Sequence, residues 1–155
     1  LTQADNYETW ARHIGQSTLN ADLVQDLYKA GISQPPIIQR DLLQVSINVG
    51  NLTLFFYDPI LIGYDEPVGD GVGVLSGITI HLDDTSGLRY TGDLPYSIDA
   101  TDTRKSLRRR LGRPDDSDDE EHWDEWTISD LQVTAMYSED FEKLETLMVF
   151  IPETE

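Results

Sequence analysis

The sequence predicts an α+β fold, an antiparallel sheet with helices on one face, in a single domain spanning residues 1–155. Three observations lead there. Apolar residues alternate with polar ones at period two in several short runs, as half-buried strands require. Apolar residues at helical spacing lie between capping residues and glycines in three other stretches. Short turn-forming connections separate the strands, and connections that short join only antiparallel neighbours.

Tyr7, Trp10, Ala11 and Ile14 line one face of a short first helix ending at Gly15. Asn20 caps a second helix with an apolar stripe of Leu23, Val24, Leu27 and Tyr28; Gly31 ends it, and Pro35 and Pro36 forbid its continuation. From Asp41 the period becomes two: Val45, Ile47 and Val49, then Leu52, Leu54 and Phe56 across Gly50 and Asn51, read as a hairpin or a closely spaced pair of strands. Residues 58–73, with two prolines and four glycines among carboxylates, read as a long mobile loop. A strand follows from Val74 to Leu82, then a turn over residues 83–87 and a short strand from Leu88 to Thr91. Asp102 or Thr103 caps a third helix that places Leu107 and Leu111 over the core, and Gly112 and Pro114 end it. The acidic stretch after it reads as a loop, because eight like charges in residues 115–125 repel one another. Trp123–Ile128, Leu131–Tyr137 and Leu144–Ile151 complete the sheet, with turns at Ser129-Asp130 and residues 138–140.

The halves 1–84 and 88–151 read as degenerate repeats, each a helix, a loop and about three strands. Residues 10–15 parallel 107–112, Leu52–Asp58 parallels Leu131–Tyr137, and residues 75–80 parallel 144–149. The alternative is two α+β meanders alike by chance.

Charge reverses abruptly after the third helix. Arg104, Lys105, Arg108, Arg109, Arg110 and Arg113 are six of the chain's 11 cations, against 29 Asp and Glu in all and a net charge of -18. A surface of that sign repels nucleic acid and anionic membrane and attracts a cationic protein. The arginines are expected to pair with the acidic stretch Asp115–Glu121 rather than bind RNA. With 39% hydrophobic residues the chain can fold; without cysteine it has no disulfide, thiolate metal site or thiol nucleophile. Its apolar runs are too short to span a bilayer, so a soluble protein is expected. It begins at Leu1, which is compatible with a removed start, tag or signal segment.

No catalytic constellation is visible, and no cofactor or metal is expected. His13 and His81 read as structural or solvated, and the sequence around Glu121, His122 and Asp124 lacks a two-histidine metal spacing. Residues 115–126 put Glu120 where a calcium loop needs glycine, and Asp70 would repel a phosphate from the glycine-rich stretch 69–73. The candidate site is a protein-binding one. Asp115, Asp116, Asp118, Asp119, Glu120, Glu121, Asp124 and Glu125 surround Trp123 and Trp126, which either divide into one core and one partly exposed ring or both cover the core edge. Asp65, Glu66 and Asp70 add carboxylates in the loop 58–73.

Gly92-Asp93-Leu94-Pro95, a helix ending Leu111-Gly112-Arg113-Pro114, the strand holding Trp123 and Trp126, and a terminal hairpin together resemble a pattern of bacterial immunity proteins from toxin–immunity pairs. The resemblance covers roughly residues 88–151. The helix-and-strands element is also similar to the repeated unit of beta-lactamase inhibitory protein and to small outer-membrane lipoproteins. It implies a bacterial cytoplasmic protein, or a periplasmic one if a signal peptide was removed, that is no enzyme and neutralises a toxin. Its toxin-contacting residues vary, so none carries over by motif. The acidic surface suits a cationic, nuclease-type toxin. The alternative is a small carboxylate-dependent metal-binding hydrolase using Asp65–Asp70 or Asp115–Asp124.

Overall fold

Two tight hairpins set the register of the sheet. Strands β1 (Gln44–Val49) and β2 (Leu52–Tyr57) close with Val49 opposite Leu52, and Gly50 supplies the positive φ of +58° that the turn needs. Strands β5 (Trp123–Ile128) and β6 (Leu131–Tyr137) close through Ser129 and Asp130, both at positive φ. Between them lie β3 (Val74–His81) and β7 (Leu144–Phe150), and β4 (Asp116–Asp118) adds the far edge. The seven strands run in the order β1-β2-β3-β7-β6-β5-β4, every neighbouring pair antiparallel. The computed structural model describes residues 6–66, 68–83 and 89–154, and three short helices accompany the sheet.

Registers align side chains into rows across the strands. Ile47, Leu54, Ile78, Val149, Val133 and Trp126 form one row, and Val49, Leu52, Ile80, Leu147, Ala135 and Asp124 the next. These residues join one core with Tyr7 and Trp10 of α1 (Tyr7–Ala11), Leu23 and Leu27 of α2 (Ala21–Lys29) and Leu107 of α3 (Arg104–Leu111), Asp124 alone among them being polar. Rows of the opposite parity, such as Asn48, Thr53, Thr79, Met148, Thr134, Glu125 and Asp116, run along the other face.

The helices follow their local signals. Asn6 caps α1, and the Asn20 side chain accepts from the Asp22 and Leu23 N–H groups at the start of α2. Thr103 and Ser106 form a reciprocal capping box on α3. The first helix is shorter than its apolar spacing predicts, stopping at Ala11. Residues beyond it bond to the start of β3 instead: Gly15 N–H to Leu75 C=O at 2.8 Å and Leu75 N–H to Gln16 C=O at 2.9 Å. Tyr28 also departs from the stripe predicted for α2 and is 69% exposed, because Leu23 and Leu27 already fill the inward face.

Two loops are more ordered than expected. The loop 58–73 opens with a 3₁₀ turn, Pro59–Ile62, capped by the Asp58 carboxylate. The acidic stretch contains β4, whose pairing with β5 gives its backbone partners that the charge pattern does not advertise. Most of the turn expected at 83–87, and the start of the strand expected at Leu88, lie outside the described residues; Arg89–Thr91 is not in a strand.

Gly77 shows what the non-core face tolerates. The Phe150 ring lies over it, so a Cβ there would sit 2.2 Å from a ring carbon. That ring also stacks near Phe55, at 5.1 Å between centroids, and Tyr57, at 6.1 Å. Gly77→Ala is expected to displace Phe150 and lower stability by ~1–3 kcal/mol, the usual range for overpacking, measurable by urea unfolding. Adding Phe150→Ala should recover part of that loss.

Candidate functional site

Asp124 is fully buried in the core row between Ala135 and Ser117, an expensive place for a carboxylate. α3 meets it. Arg108 donates to both carboxylate oxygens, through Nε at 2.9 Å and Nη2 at 2.6 Å, and the Tyr137 hydroxyl donates at 3.1 Å. Hydrogen bonding to Asp124 raises the Arg108 guanidinium pKa, while burial and the Asp124 charge raise that of the Tyr137 phenol and keep it a donor.

Two more cations of α3 are engaged. Arg110 pairs with Asp102, which also accepts from Ser106 Oγ at 2.7 Å and Asp99 N–H at 2.8 Å. Arg104 reaches Asp119 at 3.1 Å and lies over the Phe141 ring, 3.7 Å from its centroid. The expected pairing of the arginines with Asp115–Glu121 thus holds for Arg104 alone; Arg108 and Arg110 take carboxylates on either side of that stretch.

The predicted site residues divide accordingly. Asp124 and Trp126 belong to the core, the Trp126 indole donating to Gly112 C=O at 3.0 Å. Asp115 and Asp118 shape the backbone: Asp115 accepts from Thr127 N–H at 2.7 Å, and Asp118 from both Glu120 and Glu121 N–H at 2.9 Å. Asp116, Asp119, Glu120 and Glu121 are exposed along the β4 edge. Trp123 and Glu125 are half-buried on the non-core face, Glu125 accepting from Thr134 Oγ1 at 3.2 Å. Asp65, Glu66 and Asp70 are exposed in the β2–β3 loop, in the other half of the sheet, and do not join this group.

Sequence reasoning missed the surface to which Glu125 belongs. A hollow on the non-core face is lined by Phe55, Tyr57, Thr134, Met148 and Phe150 with the carboxylates of Glu125 and Glu153. Its signal was present. Leu54–Tyr57 and Leu147–Ile151 are apolar without interruption, so both faces of β2 and β7 carry apolar side chains.

The histidines serve the scaffold. His13 is buried with Nε2 2.7 Å from Asp26 Oδ2 and Nδ1 2.6 Å from Gln16 Oε1, and Arg12 also bonds Asp26, at 2.5 Å. His81 Nε2 is 2.8 Å from Thr53 Oγ1, and the His122 ring packs edge-on to Phe141 at 5.2 Å. Among the described residues no three His, Asp or Glu side chains converge as metal ligands, and no helix is long and apolar enough to cross a membrane.

Two stability measurements follow. Asp124→Asn leaves Arg108 without its anion; because the Arg108 side chain is 36% exposed, the loss should fall to about 2 kcal/mol, below the ~3–5 kcal/mol of a wholly buried pair. Burial by itself would raise the pKa values of Asp26 and Asp102, but hydrogen bonds from His13 and Arg12, and from Asp99 N–H, Ser106 and Arg110, outweigh it and lower both. Carboxyls depressed on folding stabilise the protein fully above the unfolded value of about 4 and lose that contribution as pH falls through the folded value. Urea midpoints should therefore be flat from neutral pH to about 5 and decline below about 4, with the decline reduced in Asp102→Asn.

Comparison with protein-family models, with curated protein sequences and with solved structures yields no match.

Proposed function

We propose that this chain is an immunity-type inhibitor that binds a cationic, nuclease-type bacterial toxin and occludes it with an acidic surface. One observation carries the reading: Arg104, Arg108 and Arg110, half of the cation cluster, are engaged by the fold's own carboxylates. The cluster therefore offers little positive field to a nucleic acid, while Asp116, paired opposite the Glu125 that lines the aromatic hollow, and Glu120 and Glu121 in the turn after β4 remain exposed. Apolar and aromatic side chains bordered by carboxylates have the composition of a protein-binding surface for a basic partner.

The architecture of that reading is two degenerate repeats with their helices on one face. The strand order supports it, since β1-β2-β3 on one side of the β3–β7 junction mirrors β5-β6-β7 on the other. Trp10 and Leu107 are both fully buried, and each is followed five residues later by a glycine at positive φ, Gly15 and Gly112. Residues of all three helices enter the core with sheet rows of a single parity, which supports their common face.

Gene order is the first test, a basic toxin encoded beside this chain being the expected finding, and binding kinetics with that toxin are the second. Changing Asp116, Asp119, Glu120 and Glu121 to amides should slow association by about tenfold at low salt and flatten its dependence on ionic strength. Trp123→Ala should act on dissociation, costing roughly 2 kcal/mol, whereas Trp126→Ala should lower the melting temperature because that ring is core. Absence of a complex at micromolar concentration, or an association rate indifferent to the four amides, would count against the inhibitor.

A further inference from the structure

The two edges of the sheet are built differently. β4 has three residues, Asp-Ser-Asp, and its Ser117 N–H is already bonded to the Asp116 carboxylate at 2.9 Å. Brevity and charge keep a foreign strand away from such an edge. β1 has six residues with neither a charge nor a proline, and among the described residues its one strand neighbour is β2. The two-residue turn makes Val49 and Leu52 a hydrogen-bonded pair, so antiparallel alternation turns the N–H and C=O groups of Gln44, Ser46 and Asn48 outward. Val45 and Ile47 pack against the core yet stay half-buried, as strand residues do when one neighbour is missing.

Exposed apolar side chains gather where β1 begins. Leu42 and Leu43 lead into the strand, and Leu43 C=O accepts from Asp58 N–H at 2.8 Å, which brings the turn bearing exposed Ile60 beside them. The rim is acidic: Asp58 and Asp70 share a hollow with Arg40 and Leu42, and Asp41 lies between those two in the chain.

We propose that β1 is a docking edge for an extended basic strand of a partner protein. Main-chain hydrogen bonds to Gln44, Ser46 and Asn48 would supply affinity, cover for Val45 and Ile47 would add apolar burial, and the carboxylate rim would select lysine or arginine. A second copy of this chain is disfavoured as the occupant, because it would bring a further net charge of -18 to the same rim. The proposal rests on the reading of the partner as cationic and adds to it a main-chain contact, at the sheet edge opposite the carboxylates of β4.

A short capped peptide of alternating lysine and valine is the probe, with its glutamate–valine analogue as control, and amide hydrogen exchange is the readout. At saturating lysine–valine peptide, exchange at Gln44, Ser46 and Asn48 should slow by about tenfold or more, and the glutamate–valine peptide should leave it unchanged. Ser46→Lys, which adds a guarding charge, and Ser46→Pro, which removes an outward N–H, should each abolish the protection at an unchanged melting temperature. Protection confined to the β4 edge or the aromatic hollow would overturn the assignment. So would equal protection by the acidic peptide, or a dimer of the chain alone that Ser46→Lys dissolves. Peptide pairing at β1 without any toxin complex would leave the edge standing and sink the inhibitor; toxin binding indifferent to both Ser46 variants would do the reverse.

Discussion

Asp124 places a charge in an otherwise apolar row of the core, and its pairing with Arg108 ties α3 to the second half of the sheet. The pair fixes α3 against β5 and brings Tyr137 of β6 into the same hydrogen-bonded group. It also commits Arg108, leaving Arg104 to reach the acidic stretch at Asp119. Arg110 is committed in the same way to Asp102, at the foot of its own helix. A segment that looks amphoteric in sequence thus folds into internal ion pairs on one side and exposed carboxylates on the other.

That division gives the sheet its asymmetry. One face is the core, with the buried Asp124 and Trp126 at its β5 end. The other carries Phe55, Tyr57, Met148 and Phe150 beside Glu125 and Glu153. The edges differ as well: β4 is short and doubly acidic, whereas β1 is long and neutral and lies next to exposed leucines. Exposed apolar side chains beside carboxylates mark an interaction surface, and their placement accords with the proposed inhibitor.

Much of the fold was legible because turn chemistry and period two agree. Ser129 and Asp130, flanked by alternating apolar residues, mark β5 and β6 to the residue. Legibility failed where tertiary contacts outweigh local pattern. α1 stops early because its last turn bonds to β3, and β4 has no apolar period for a reader to find. The candidate site was legible only in part. Period two places Asp124 on the same side of the strand as Trp126, so a core Trp126 already implied a buried carboxylate in need of a cation. The aromatic hollow and the bare β1 edge required the strand order, which no local pattern states.

Survival of bacteria made to express a basic toxin found in the gene adjacent to this chain's decides whether the chain is an inhibitor. With the toxin expressed alone, cells should die; with this chain co-expressed, they should grow, and a chain carrying the four amides at Asp116, Asp119, Glu120 and Glu121 should protect them less at equal abundance. Full killing in the presence of the folded chain, or protection that does not depend on those carboxylates, would rule out an inhibitor that works through its acidic surface.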